Sequence, residues 1–223
     1  MNVESLNLTT SQGATTAYVA RPEEPATRGV LLIQEYWGIN EHIRDLAGRF
    51  AGEGYLCVAP DLYRGRVAVD KNEASALMQA LRIDDGMETI RKGIDRAKET
   101  YQVTRFAIIG FCMGGTFALR AACEISELKA AAPFYGDIPE EAVLSQLKVP
   151  TLFIAGQRDA WINPQKVNAL KQVAKKYDLP VEVVSYDAEH AFFNDTRPQV
   201  YHAEAAADAW RRVLEHFRNH LGQ

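Results

Sequence analysis

The stretch Ala107-Ile108-Ile109-Gly110-Phe111-Cys112-Met113-Gly114-Gly115 constrains this chain most. An apolar, strand-like run ends in Gly-x-Cys-x-Gly and passes straight into a helical pattern. This is the strand–turn–helix pattern of a nucleophile elbow, with cysteine where Gly-x-Ser-x-Gly has serine. So tight a turn needs glycine on both sides, because neighbouring backbone comes too close for a Cβ. It also lifts the central side chain into the open at a helix N-terminus. Free backbone N–H groups and the helix dipole there favour a thiolate and a developing oxyanion. The plainer alternative is a cysteine acting as a small buried hydrophobe.

Around this run, strand and helix signals alternate almost throughout. Val3–Leu8 and Thr15–Arg21 flank Ser11-Gln12-Gly13 and predict an opening hairpin. Gly29–Gln34 reads as a strand buried on both faces. Asn40 is placed to cap a helix running to about Glu53, followed by a strand over Tyr55–Ala59. Asp84–Thr100 carries Met87, Ile90, Ile94 and Ala97 at helical spacing. Phe106–Phe111 is strand and Met113–Cys123 helix. Lys129–Phe134, Thr151–Ala155 and Val181–Tyr186 are further strands. Asn163–Tyr177 and a segment from about Pro198 to Leu221 are further helices. The alternation predicts an α/β fold, a mainly parallel twisted sheet with helices on both faces. Neither a linker nor an internal repeat breaks it, so residues 1–223 are expected to form one domain. Ligands of such sheets bind beyond the carboxyl ends of the strands, where Glu35, Cys112, Asp159 and His190 all fall.

A nucleophilic cysteine needs a base, and the base an orienting acid. Asp159 follows the Thr151–Ala155 strand and His190 follows the Val181–Tyr186 strand. The order Cys112, Asp159, His190 is the nucleophile–acid–histidine order of an elbow-bearing fold. Asp187 is the rival acid. His202, His216 and His220 fall in the terminal helix. The i, i+4 pair His216 and His220 lacks the Glu of a His-Glu-x-x-His motif and reads as a solvated face. His42 is expected at the surface of the first helix. Cys57 and Cys123 read as packing residues, with no paired disulfide framework. Glu35 ends a buried strand, where a carboxylate is costly unless paired. It is either a hydrogen-bonded structural acid or a neighbour of Cys112 whose charge raises the thiol pKa.

A formal charge of −4 argues against nucleic acid. No run of roughly 18 apolar residues argues for a membrane span. The N-terminus does not read as a secretion signal, so a cytoplasmic protein is expected.

Together these residues make the chain resemble dienelactone hydrolase (carboxymethylenebutenolidase), a thiol-dependent branch of the α/β-hydrolase fold. The resemblance rests on Gln34-Glu35-Tyr36-Trp37-Gly38-Ile39-Asn40, Pro60-Asp61-Leu62-Tyr63, Gly110-Phe111-Cys112-Met113-Gly114-Gly115, Gly156-Gln157-Arg158-Asp159 and His190-Ala191-Phe192. It implies a triad of Cys112, His190 and Asp159. It further implies that Glu35 contacts the resting cysteine, and that the backbone N–H groups of Tyr36 and Met113 form the oxyanion hole. One departure bears on substrate. Asn194 stands where dienelactone-specific members hold the substrate carboxylate with arginine, and Arg197 lies three residues on. A second arginine is expected between Tyr63 and Leu81, where Arg64, Arg66 and Lys71, with Arg82 just beyond, are candidates.

The expected function is hydrolysis of a small-molecule ester or lactone through a thioester, without metal or organic cofactor and without a nucleic-acid or membrane partner. The oligomeric state stays open, and a monomer is compatible with the chain. The alternatives are a short-chain carboxylesterase or other thiol acyl hydrolase of this fold, and an inert binding protein on the same shell.

Overall fold

The computed structural model describes residues 1–222. Contacts divide the chain into two compact units, one from Met1 to Phe106 and one beginning at Ala107. The architecture is α/β, with eight mainly parallel strands and helices between them.

The first unit opens with a hairpin, β1 (Asn2–Thr10) and β2 (Gly13–Arg21), paired in register from Asn2↔Arg21 to Thr10↔Gly13. β3 (Arg28–Ile33), α1 (Glu41–Gly52) and β4 (Leu56–Pro60) follow, then α2 (Lys71–Ala80) and α3 (Ile83–Tyr101). The strand order is β1-β2-β4-β3, with β4 antiparallel to β2 and parallel to β3. Val30, Leu31, Leu32 and Ile33 are fully buried, as the continuous apolar run requires. Asn40 caps α1, its side-chain oxygen accepting from the Ile43 N–H at 3.2 Å. Such a cap contributes on the order of 1 kcal/mol. α3 buries Met87, Ile90, Ile94 and Ala97 along one face.

β5 (Arg105–Phe111) leads into the second unit. There follow α4 (Met113–Glu124), β6 (Ala130–Phe134), α5 (Glu141–Leu144), β7 (Thr151–Gly156), α6 (Pro164–Tyr177), β8 (Val181–Tyr186) and α7 (Ala203–Leu221). The strand order β5-β6-β7-β8 is parallel throughout. β6 and β7 are wholly buried, whereas β8 is half-buried. Asn163 caps α6 through the Lys166 N–H at 3.0 Å, with Pro164 in the first turn, where a missing N–H costs nothing.

Three expectations need correction. The last helix starts at Ala203 rather than near Pro198. The Val200 and Tyr201 N–H groups instead close turns on the Arg197 carbonyl, and His202 caps the helix through the Ala205 N–H at 3.3 Å. His42 is not at the surface but 2 % exposed on the inner face of α1. His216 is half-buried rather than solvated. Its Nε2 lies 3.1 Å from the Pro150 carbonyl, and burial together with the neighbouring His220 pushes its pKa down to about 4. Among the described residues no group of three or more His, Cys, Asp or Glu is placed to hold a metal ion. No helix there is long and apolar enough to cross a membrane.

Candidate active site

The elbow owes its shape to its glycines. A Cβ on Gly110 would collide with the Gly114 carbonyl, and one on Gly115 with the Phe134 carbonyl. With those atoms absent, β5 turns into α4 within one residue. Cys112 takes φ 55°, ψ −116° at the N-terminus of α4. A non-glycine residue there is strained on the order of 1–3 kcal/mol and persists only where its surroundings over-determine it. They do so here. The Cys112 N–H donates to the Phe134 carbonyl at 3.1 Å, and the Cys112 carbonyl accepts from the Thr116 N–H at 3.1 Å. Tyr135 (φ 36°) and Ala191 (φ 63°) also have positive φ; Tyr135 follows the Phe134 that anchors Cys112, and Ala191 follows His190.

The other two cysteines have different surroundings. Cys57 is fully buried in β4, and burial pushes its thiol far up. Cys123 is pushed up to about 12 by burial, and its sulfur bonds the Leu119 carbonyl one helical turn back at 3.3 Å. Of the three, Cys112 alone stands at a helix N-terminus, and it shares partial accessibility with Cys123.

Asp159 and His190 are brought together by backbone. The loops after β7 and β8 are cross-linked, the Gln157 N–H donating to the Tyr186 carbonyl at 2.8 Å and the Arg158 N–H to the Ala188 carbonyl at 3.0 Å. Gly156 permits the approach, since its Cβ would lie 2.5 Å from the Ala188 carbonyl oxygen. Beyond His190, Phe192 and Phe193 are buried and pin the loop from below. Phe193 stacks on Phe111 at 5.1 Å, and Phe192 packs on Tyr135 at 5.7 Å.

Asp159 Oδ2 consequently lies 2.6 Å from His190 Nδ1. Its other oxygen accepts from the backbone N–H groups of Trp161 at 2.8 Å and Ile162 at 2.9 Å. Burial alone would raise the Asp159 carboxyl pKa. The hydrogen bonds from His190 and from those two amides outweigh it, and the group is held below the usual carboxylate range. An ionised Asp159 fixes the proton on Nδ1 and leaves the lone pair on Nε2. His190 Nε2 is buried and has no hydrogen-bond partner among the described residues. The imidazole is flanked by Tyr135 at 5.0 Å and Trp161 at 4.7 Å. Asp187 is turned outward into an exposed pair with Arg158 at 2.7 Å.

Glu35 and Tyr36 belong to the first unit. Glu35 is 2 % exposed just beyond β3, and its carbonyl accepts from the Gly38 N–H at 3.3 Å. Met113 opens α4 in the second unit. Asn194 is buried and spends its side-chain oxygen on Thr196, accepting from its N–H at 3.0 Å and its hydroxyl at 2.6 Å. Arg197 is half-buried three residues on, and its N–H donates to the Asn194 carbonyl at 3.1 Å. Arg64 is committed to Asp85 at 2.5 Å, and Arg66 pairs with Glu73 at 2.9 Å. Lys71 is exposed in the first turn of α2, and Arg82 lies 3.8 Å from Asp84. Trp161 escaped the sequence reading, although a tryptophan two residues past a strand-end acid was a signal that could have marked it.

The sequence profile of the dienelactone hydrolase family matches residues 15–221. Protein usf of Aquifex pyrophilus is 32 % identical over 216 residues, covering 92 % of this chain and 93 % of its own. A protein of Escherichia coli K12 provisionally named carboxymethylenebutenolidase is 33 % identical over 226 residues, covering 93 % of this chain and 83 % of its own. A Klebsiella pneumoniae crystal structure, provisionally described as a dienelactone hydrolase, superposes with a TM-score of 0.89 at 30 % identity. It covers 97 % of this chain and 98 % of that one. Likeness of this extent, in profile, sequence and structure alike, makes the chain a hydrolase that belongs to the dienelactone hydrolase family.

Proposed function

We propose that this protein hydrolyses a carboxylic ester or lactone through a thioester on Cys112. His190 Nε2 removes the Cys112 proton as the sulfur attacks the carbonyl carbon. The tetrahedral intermediate collapses with cleavage of the bond to the leaving oxygen, which takes the proton back from His190. Water, deprotonated by His190, then attacks the thioester, and the carboxylic acid departs as the thiol is restored. Asp159 holds the imidazole in the required tautomer and stabilises the imidazolium. The backbone N–H groups of Met113 and Tyr36 donate to the oxyanion. Glu35 restrains the resting thiol until substrate arrives. Every step uses groups of the chain and water.

The observation that carries this reading is the 2.6 Å bond between Asp159 and His190, on a carboxylate whose second oxygen is held by two amides. It supports a base that is oriented before substrate binds. The roles of Glu35 and Tyr36 rest on the resemblance of Gln34-Glu35-Tyr36-Trp37-Gly38 to the family pattern. The substrate class is kept at ester or lactone. Relatives are provisionally named for carboxymethylenebutenolide, yet Asn194 carries no charge for a substrate carboxylate and its oxygen is already engaged.

The test is covalent. Rapid quenching with a slow aryl ester should leave the acyl mass on the peptide containing Cys112, and Cys112→Ala should lose both adduct and turnover. Turnover that survives in Cys112→Ala would refute the mechanism.

A further inference from the structure

One aromatic side chain at this site is largely exposed to solvent. Trp161 is 64 % exposed, whereas Trp37 and Trp210 are half-buried. An indole left in water forgoes a large part of the stabilisation that burying it would bring. Nor does it sit on a loose loop. The backbone N–H of Trp161 donates to Asp159 Oδ1 at 2.8 Å. The next residue, Ile162, is buried and bonded to the same oxygen, and Asn163 then caps α6. The indole is therefore displayed by a rigid turn, its ring centre 4.7 Å from the His190 imidazole at an interplanar angle of 76°.

We propose that Trp161 is the specificity-determining contact for the leaving alcohol, and that it favours planar, apolar alcohols such as aryl or enol groups over small alkyl ones. The inference rests on the Cys112–His190–Asp159 reading and follows from where the proton must go. His190 delivers its proton to the leaving oxygen, so that oxygen comes within hydrogen-bond reach of Nε2. The carbon skeleton on that oxygen must then lie beside whatever flanks the imidazole. Two rings flank it. Tyr135 is 1 % exposed and has no surface to offer a substrate; Trp161 has most of its own. The acyl part remains attached to Cys112 and is held by the elbow instead. Stacking on a pre-positioned indole face suits a flat apolar group and gains little from a methyl or ethyl group.

The experiment compares kcat/KM in the parent, Trp161→Ala and Trp161→Phe across two ester series. One holds the acyl group as acetate and changes the alcohol from ethanol to phenol. The other holds phenol and changes the acyl group from acetyl to butyryl. Taking each preference relative to the parent cancels the intrinsic reactivity of the esters. Trp161→Ala should lower the phenol-over-ethanol preference at least tenfold, and Trp161→Phe should restore most of it. The acyl preference and the acid limb of the kcat/KM pH profile should not move, because every non-proline residue keeps the N–H that Asp159 needs. An equal loss on both alcohols with a displaced acid limb would overturn the proposal and leave Trp161 as a packing support for His190. A changed acyl preference, or no change at all, would also overturn it. These outcomes are separable from failure of the triad reading, which shows as turnover in Cys112→Ala whatever Trp161 does.

Discussion

Asp159 makes three hydrogen bonds, and two substitutions divide them. Asn at 159 keeps an oxygen for the Trp161 and Ile162 amides but presents an NH2 group to His190 Nδ1. That favours the imidazole tautomer with the proton on Nε2, which cannot accept a proton from Cys112. The equivalent change in a serine triad costs about 10⁴ in kcat, or roughly 5.4 kcal/mol of barrier. Stability should hardly change, since no buried donor is orphaned. Ala at 159 removes all three partners. The Ile162 N–H is buried, and leaving it unpaired costs about 1–3 kcal/mol. The Trp161 N–H is only partly buried and adds on the order of 1 kcal/mol or less. Asp159→Ala should therefore be inactive and about 1–4 kcal/mol less stable, while Asp159→Asn is inactive at parental stability. Steady-state turnover of a phenyl ester and urea midpoints at neutral pH read both axes. An Asp159→Asn enzyme within tenfold of the parent would refute the orienting role. An Asp159→Ala protein as stable as the parent would refute the account of the two amides.

Cys57→Ala and Cys123→Ala should keep turnover within a few fold of the parent, since Cys57 lies within β4 and Cys123 in the last turn of α4 rather than on the elbow turn; iodoacetamide should inactivate both variants as it does the parent. Glu35→Gln should bring alkylation of Cys112 to half its maximal rate at lower pH in the absence of substrate, and an unmoved midpoint returns Glu35 to a structural acid. His216 has its folded pKa pushed to about 4, below the ordinary value of about 6.5, so the unfolded chain binds the proton first as pH falls. Its neutral form stabilises the fold fully above pH ~6.5, and stability should drop by on the order of 2–3 kcal/mol on going down to pH 4. Urea midpoints across that window should be flatter in His216→Asn.

Where an element's own residues decide its fate, the sequence was readable. The fully apolar β3 could only be buried, and Asn40 and Asn163 marked two helix starts through a side-chain oxygen. α2 was missed because only Ala74 and Leu77 are buried in it, too few to produce a period, although Asp70 caps it through the Asn72 and Glu73 N–H groups. The start of α7 was misplaced because Pro198–Tyr201 continues the helical composition while its N–H groups are drawn to the Arg197 carbonyl. Cys112, Asp159 and His190 were legible as types after strands. Asp159 was preferred to Asp187 from chain order, while the backbone bonds that hold it against His190, between loops some 30 residues apart, were not legible. The place of Trp161 two residues past Asp159 was legible, but its exposure was not, since exposure belongs to the packed state alone.

The left-handed backbone at Cys112 sets heat tolerance and turnover against each other at a single position. Glycine adopts φ 55°, ψ −116° without the penalty that a Cβ brings. A Cys112→Gly chain should therefore melt later than its parent while hydrolysing nothing. Any library ranked on thermal survival would enrich that variant and discard the active sequence. Selection for robustness in this protein consequently needs a turnover screen run beside it.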